Sequence, residues 1–154
     1  MTDYDVIIIG AGAAGLMCAV EAGKRGRKGL CLDHADRAAK KILVSGGGHC
    51  NFTNLNISAE HYLSGNEHFC KSALARYTQH DFKALVQRHG IPCHEKKSGQ
   101  LFCNKSAREI VKMLLKECKD AGVTIRLGCR IRRIKKDRFF QVQSSLGDFE
   151  CESL

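Results

Sequence analysis

The apolar positions of this chain fall into blocks of three kinds. Residues 6–9 (Val-Ile-Ile-Ile) form an unbroken apolar run that ends at a glycine, the pattern of a strand buried on both faces of a parallel sheet. Residues 13–25 place Leu16, Ala19 and Val20 on one side, which predicts a helix stopped by Gly26. Residues 30–33 read as a short second strand, weakened by Gly29. Farther on, Thr78 and Asp81 form a capping box for a helix over 81–89, with Gly90 as its stop. Residues 95–103 predict a hairpin around Ser98-Gly99.

Ser106 and Glu109 read as a second capping box. Behind it Ala107, Ile110, Val111, Leu114, Leu115 and Cys118 recur with a period near 3.6, and Gly122 ends the helix. The period then changes to two. Val123, Ile125, Leu127, Cys129 and Ile131 alternate with polar residues or glycine, predicting one half-buried strand. Residues 139–142 and 149–151 predict further strands of a small antiparallel meander. The order implies an α/β fold: a Rossmann-like parallel sheet with a helical insertion and an antiparallel β-meander.

At 154 residues the chain is long enough for one domain with a real core. Its 44% hydrophobic and 27% charged content is that of a globular protein. No apolar run is long enough to span a bilayer. Asp3 and Asp5 stand where a signal peptide would be basic, so the chain reads as cytoplasmic and without a membrane partner. Nine scattered cysteines with no C-x-x-C pair argue against a disulfide framework or zinc site. Seven histidines without metal-ligand spacing predict no metal. The net charge of +9 suits an anionic partner, phosphate-bearing cofactor or nucleic acid alike.

Chemistry concentrates in two glycine segments. Gly10, Gly12 and Gly15 fill a G-x-G-x-x-G pattern between strand and helix. Gly10 permits the turn, Gly12 allows close approach of a pyrophosphate, and Gly15 lets the helix pack on the sheet. The helix start offers free N–H groups and a positive dipole end. Asp33 stands where a carboxylate accepts from a ribose hydroxyl, and it disfavours a 2′-phosphate. Dinucleotide binding follows, without separating NAD from FAD. The second segment, residues 41–54, is KILVSGGGHCNFTN. Its three glycines let N–H groups converge on an anion or flat ring. It is not a P-loop, because no Gly-Lys-Ser/Thr follows. From the residues alone it reads equally as a cofactor loop or a surface loop.

Together the two segments closely resemble the YhiN/BaiN-like family of bacterial flavoproteins, FAD-dependent oxidoreductases with two dinucleotide-binding folds. The likeness continues through A-R-Y-T at 75–78, H-E-K at 94–96 and G-Q-L-F-C at 99–103. The resemblance implies that Gly10, Gly12, Ala13, Ala14 and Gly15 meet the FAD pyrophosphate, and that Asp33 holds the adenosine ribose. It assigns Lys41, Ser45, Gly46, Gly47 and Gly48 to the flavin-side phosphates and ring, with Asn51 and Thr53 nearby. Ile131 falls where such folds contact adenine through a strand backbone. NAD(P)H is the implied electron donor of the intact enzyme, acting on an unknown small-molecule substrate.

The chain departs from the family pattern at Ala39-Lys40 and at His49, where the family carries G-R and arginine. A histidine cannot replace an arginine fork. Family members also run far beyond residue 154. The resemblance therefore implies the N-terminal part of an FAD/NAD(P)-binding domain over 1–154, incomplete and without its substrate domain. An NAD-binding dehydrogenase fragment and a non-catalytic truncated product are the competing readings. No catalytic side chain is assigned, because the cofactor carries the chemistry. Cys50 beside His49 reads as a structural thiol, since neighbours in sequence rarely form a catalytic pair. The basic stretch 126–138 has only Phe139 and Phe140 for stacking. It reads as a solvated strand face rather than a nucleic-acid patch.

Overall fold

The structure, a computed structural model, describes residues 3–154. In chain order its elements are β1 (Tyr4–Ile9), α1 (Ala13–Lys24), β2 (Gly29–Leu32), α2 (Lys40–Val44) and, after a 3-10 turn over Ser45–Gly48, β3 (Asn51–Asn54). Then come α3 (Lys71–Arg76), α4 (Gln79–Arg88), β4 (Cys93–Glu95), β5 (Gln100–Cys103) and α5 (Arg108–Asp120). The chain closes with β6 (Thr124–Arg126), β7 (Ile131–Lys136), β8 (Phe140–Ser144) and β9 (Gly147–Ser153). The elements form two compact units. One is the chain up to Ile42 with Val111–Leu154; the other is Leu43–Ile110.

The first unit is an α/β Rossmann-type fold. Its six-stranded sheet has the order β6-β2-β1-β9-β8-β7. β1 runs parallel to β2 and β9, and β2 parallel to β6. β7, β8 and β9 form the expected antiparallel meander, which joins the parallel strands edge to edge through β9. Ile7, Leu30, Leu32, Cys129, Val142 and Cys151 make the core beneath it. β2 is buried along its whole length, as an unbroken apolar strand between two neighbours should be. On α1 the predicted stripe of Leu16, Ala19 and Val20 is the buried face. The Cys118 thiol donates to the Leu16 carbonyl at 3.6 Å, and Lys24 pairs with Glu117 at 2.7 Å.

The second unit holds more than the helical insertion that the pattern predicts. α3 and α4 accompany a three-stranded antiparallel sheet, β3-β5-β4. The hairpin around Ser98-Gly99 is present as β4 and β5. The Thr78–Asp81 capping box is closed in both directions, so α4 begins at Gln79, two residues before the predicted start.

Two local expectations need correction. The alternating segment 123–131 is not one strand: β6 ends at Arg126 and β7 starts at Ile131. Gly128 adopts a left-handed φ of 67° between them. Its N–H reaches the Ala35 carbonyl, and that of Cys129 reaches the Asp33 carbonyl, both at 2.8 Å. The chain therefore crosses the end of β2 instead of extending beside it. The Ser106–Glu109 box does not form. The Ser106 hydroxyl accepts from the N–H of Arg108 at 3.2 Å, a local turn that competes with a cap. Among the described residues, one Glu109 carboxylate oxygen is left buried without a hydrogen bond.

All nine cysteines are free thiols, and six are buried: Cys31, Cys50, Cys103, Cys118, Cys129 and Cys151. Burial pushes the Cys31 and Cys103 thiols up to about 12 and that of Cys118 up to about 11. They stay protonated, and thiols in that form are poor nucleophiles. Pulse alkylation at neutral pH, followed by mass spectrometry, should label exposed Cys18 first. The six buried thiols should react only after denaturation; early labelling of Cys31 or Cys118 would contradict the packing described.

Candidate functional site

The glycine turn follows from its own hydrogen bonds. Gly10 leaves β1 with φ at 107°, and its N–H donates to the Leu32 carbonyl at 2.7 Å. The first bond of α1 runs from the Leu16 N–H to the Gly12 carbonyl at 2.9 Å. This leaves the N–H groups of Ala13, Ala14 and Gly15 as donors at the helix start. No acidic side chain occupies that first turn. Gly12, Ala13 and Ala14 are exposed there. A Cβ built on Gly12 would meet nothing within 4 Å. One built on Gly15 would lie 1.7 Å from the Gly10 carbonyl oxygen. The two glycines thus have different jobs. Gly15 is required by the fold, whereas packing makes no such demand on Gly12, which faces open space.

Asp33 sits just past the end of β2, with 15% of its side chain exposed. One carboxylate oxygen accepts from the Ala11 N–H at 2.7 Å, the other from the Ala35 N–H at 2.8 Å. The acid therefore ties the glycine turn to the end of the neighbouring strand. Burial pulls its pKa upward, but the Ala35 and Ala11 N–H groups, with His34 and Lys40, outweigh it and hold the carboxyl below its ordinary value. Each oxygen keeps a further lone pair for a hydroxyl donor.

A carboxylate depressed in the folded state stabilises the fold above its unfolded pKa, and that contribution is lost as pH falls through the folded value. Asp33→Asn should therefore melt below the wild type at pH 7. The gap should narrow below about pH 4, near the unfolded carboxylate value. Thermal melts across pH check this; a constant gap would contradict it.

Beside Asp33 opens a cleft of about 500 Å³, lined by Ile9, Gly10, Leu32, Asp33, His34, Cys129, Arg130 and Ile131. Ile131 and Asp33 thus share one wall system with Gly10. His34, Cys129 and Arg130 are lining residues that the pattern did not single out. Gly128 is the signal that would have exposed them, because a left-handed turn there ends the strand and swings 129–131 toward Asp33.

The remaining predicted residues lie elsewhere. Lys41 is exposed on α2. Ser45, Gly46, Gly47, Gly48, Asn51 and Thr53 belong to the second unit. The glycine loop there is an ordered turn. Gly46 has φ of 56°, and a Cβ on it would come within 2.6 Å of the Phe102 ring. The Gly48 carbonyl accepts from Ala107 at 2.7 Å, and the Ser45 carbonyl from Cys50 at 3.0 Å. Asn51, with its amide turned to satisfy both contacts, donates to the Thr53 and Leu101 carbonyls. Asn51 and Thr53 line a second cleft, of about 630 Å³, with Asn54, Asn56, His61, Tyr62 and Ser98 among the other walls. Burial raises the Cys50 thiol above its usual range, and the His49 ring is placed 3.3 Å from the Cys103 carbonyl. Among the described residues no cluster of His, Cys, Asp and Glu could hold a metal ion. None of their helices is long and apolar enough to cross a membrane.

A profile of the family described as "HI0933-like protein Rossmann domain" matches residues 4–154. The chain belongs to this family. The HI0933-like chain is 55% identical over 137 residues to the ribosomal RNA dihydrouridine synthase of Escherichia coli K12, covering 89% of its own length and 34% of that protein. It is 48% identical over 160 residues to the Haemophilus influenzae protein of the same name, covering 100% of itself and 40% of that protein. A 3-dehydro-bile acid delta(4,6)-reductase of Clostridium scindens is 25% identical over 131 residues, covering 83% of this chain and 32% of that one. The chain thus spans well under half the length of these relatives. Among solved structures, the amino acid oxidase NikD aligns with a TM-score of 0.57 at 13% identity, over 99% of this chain and 50% of that one. That likeness concerns the fold.

Proposed function

We propose that this chain binds FAD and forms the cofactor-holding part of a flavin-dependent reductase acting on uridine in ribosomal RNA. The observation that carries the FAD reading is the Gly10–Gly15 turn: open donors at the start of α1, with the Asp33 cleft beside them. In this reading the N–H groups of Ala13, Ala14 and Gly15 receive the pyrophosphate. Gly12 leaves room for it. Asp33 accepts from the adenosine ribose, and the Ile131 backbone meets adenine. The resemblance to YhiN/BaiN-like flavoproteins assigns Lys41, Ser45, Gly46, Gly47, Gly48, Asn51 and Thr53 to the flavin portion.

The names of the relatives supply the reaction class. Dihydrouridine is uridine saturated at C5–C6, a double bond conjugated to the C4 carbonyl. The bile-acid relative is named for reduction of double bonds in a 3-oxo steroid. Both reductions add two electrons and two protons across a carbon–carbon double bond. FAD supplies the two-electron chemistry when bound, with NAD(P)H as the proposed donor. The chain's own residues bind and orient it, and no side chain is assigned a proton-transfer role. The RNA substrate replaces the small molecule expected from the sequence. It also fits the free thiols and a cytoplasmic setting.

Purified protein tests the reading. A yellow preparation with a flavin spectrum, or stoichiometric uptake of added FAD, is the expected result. A chain that binds NAD and not FAD would overturn it, as would one that binds neither.

A further inference from the structure

We propose that β7 is the edge on which the RNA backbone docks. This rests on the RNA reading above and goes beyond it by naming the surface. Between Arg130 and Arg138 six basic side chains accompany a single acid, Asp137. Residues 132–138 are exposed throughout. β7 is the outermost strand of the six-stranded sheet, so among the described residues one long side of it is unpaired. Among the described residues none of Arg132, Arg133, Lys135 and Lys136 has an ion pair.

The pairing register arranges these charges. Arg133 lies opposite Gln143 and Lys135 opposite Gln141 on β8. Those glutamines in turn lie opposite Asp148 and Glu150 on β9. One face of the meander therefore runs from cationic at the edge, through neutral amides, to anionic on β9. A polyanion is attracted to the β7 side and repelled from the β9 side. Arg133 and Lys135, two residues apart on a strand, are roughly 7 Å apart, a spacing suited to successive phosphates of one strand.

The two aromatic residues at this end do not serve as a stacking platform. The Lys136 ammonium sits 4.7 Å from the Phe140 ring centre, and the Arg138 guanidinium 5.2 Å from that of Phe139. The rings hold the cations in place. The surface consequently reads phosphate and not base. Two plainer roles compete. Charged side chains guard exposed sheet edges against pairing with other chains. A basic face can also be covered by other protein; interfaces favour arginine and are depleted of lysine, so Lys135 and Lys136 count against that role and the arginines do not.

The test uses fluorescence anisotropy of a labelled ribosomal RNA stem–loop and a scrambled stem–loop of equal length. Four substitutions are combined: Arg132→Gln, Arg133→Gln, Lys135→Gln and Lys136→Gln. A control carries Arg88→Gln, Lys105→Gln, Lys112→Gln and Lys119→Gln, the same loss of charge at exposed positions elsewhere. The unaltered chain should bind both RNAs with steep salt dependence. The β7 variant should bind at least about tenfold more weakly, with a log–log salt slope shallower by about 3, while its melt and FAD binding stay unchanged. The control should match the unaltered chain.

Equal RNA affinity in the two variants overturns the docking surface. So does a β7 variant that self-associates yet keeps its RNA affinity, because the cations then only guard the edge. Failure of the unaltered chain to bind either RNA overturns the RNA reading itself, and the docking surface with it.

Discussion

Gly15→Ala is expected to lower the melting temperature by about 10 °C, from a loss of ~3 kcal/mol or more. The added methyl would sit 1.7 Å from the Gly10 carbonyl oxygen and 2.9 Å from its carbon. Both are backbone atoms in the turn itself, so no rotamer change relieves the clash. Either α1 must lift from β1, or Gly10 must give up its bond to Leu32. The first exposes the buried face of Leu16, Ala19 and Val20. The second leaves a backbone pair unsatisfied at the ends of β1 and β2. Differential scanning calorimetry checks the shift. A melt within about 2 °C of the wild type would contradict this packing.

Gly12→Asp is expected to do the opposite. Gly12 is the N-cap of α1, has extended backbone geometry (φ −86°, ψ −171°) and carries no side-chain cap. Aspartate is a preferred N-cap, better than glycine by a few tenths of a kcal/mol, and its charge suits the helix start. There is open space for it. Stability should hold or rise slightly. FAD affinity should fall by at least about 100-fold, because a carboxylate would stand where the pyrophosphate approaches and repel it. Calorimetry and flavin titration on the same sample check the pair of outcomes. A variant that melts normally and still binds FAD as tightly as the wild type would remove the pyrophosphate from this turn.

The first unit was legible in the sequence because its local signals and its tertiary role agree. The apolar run of β1, the glycine turn and the stripe on α1 are each short-range features, and each lies where its pattern predicts. Asp33 was legible as an acid at the end of the second strand, but its structural role was not. That it also binds the Ala11 N–H depends on a contact across 22 residues, which no local pattern encodes; its bond to the Ala35 N–H is a local turn. The error over 123–131 has the same origin. Alternation at Leu127, Cys129 and Ile131 satisfies a strand pattern, yet Gly128 and two long-range bonds to 33 and 35 turn the chain. The Arg130 and Cys129 walls of the cleft were hidden by that misreading. In the second unit the β4–β5 hairpin was legible, but the third strand escaped notice because β3 pairs with β5 nearly fifty residues later, while three glycines mask the strand entry.

In the proposed reading the donors at the start of α1 and the Asp33 cleft hold the adenosine and pyrophosphate of FAD. ¹H–¹⁵N spectra of the chain titrated with FAD and with ADP test this most directly. Both ligands should shift the amides of Gly12, Ala13, Ala14, Gly15, Ala35 and Ile131. Shifts that leave these amides unmoved, or that ADP fails to reproduce there, would contradict it.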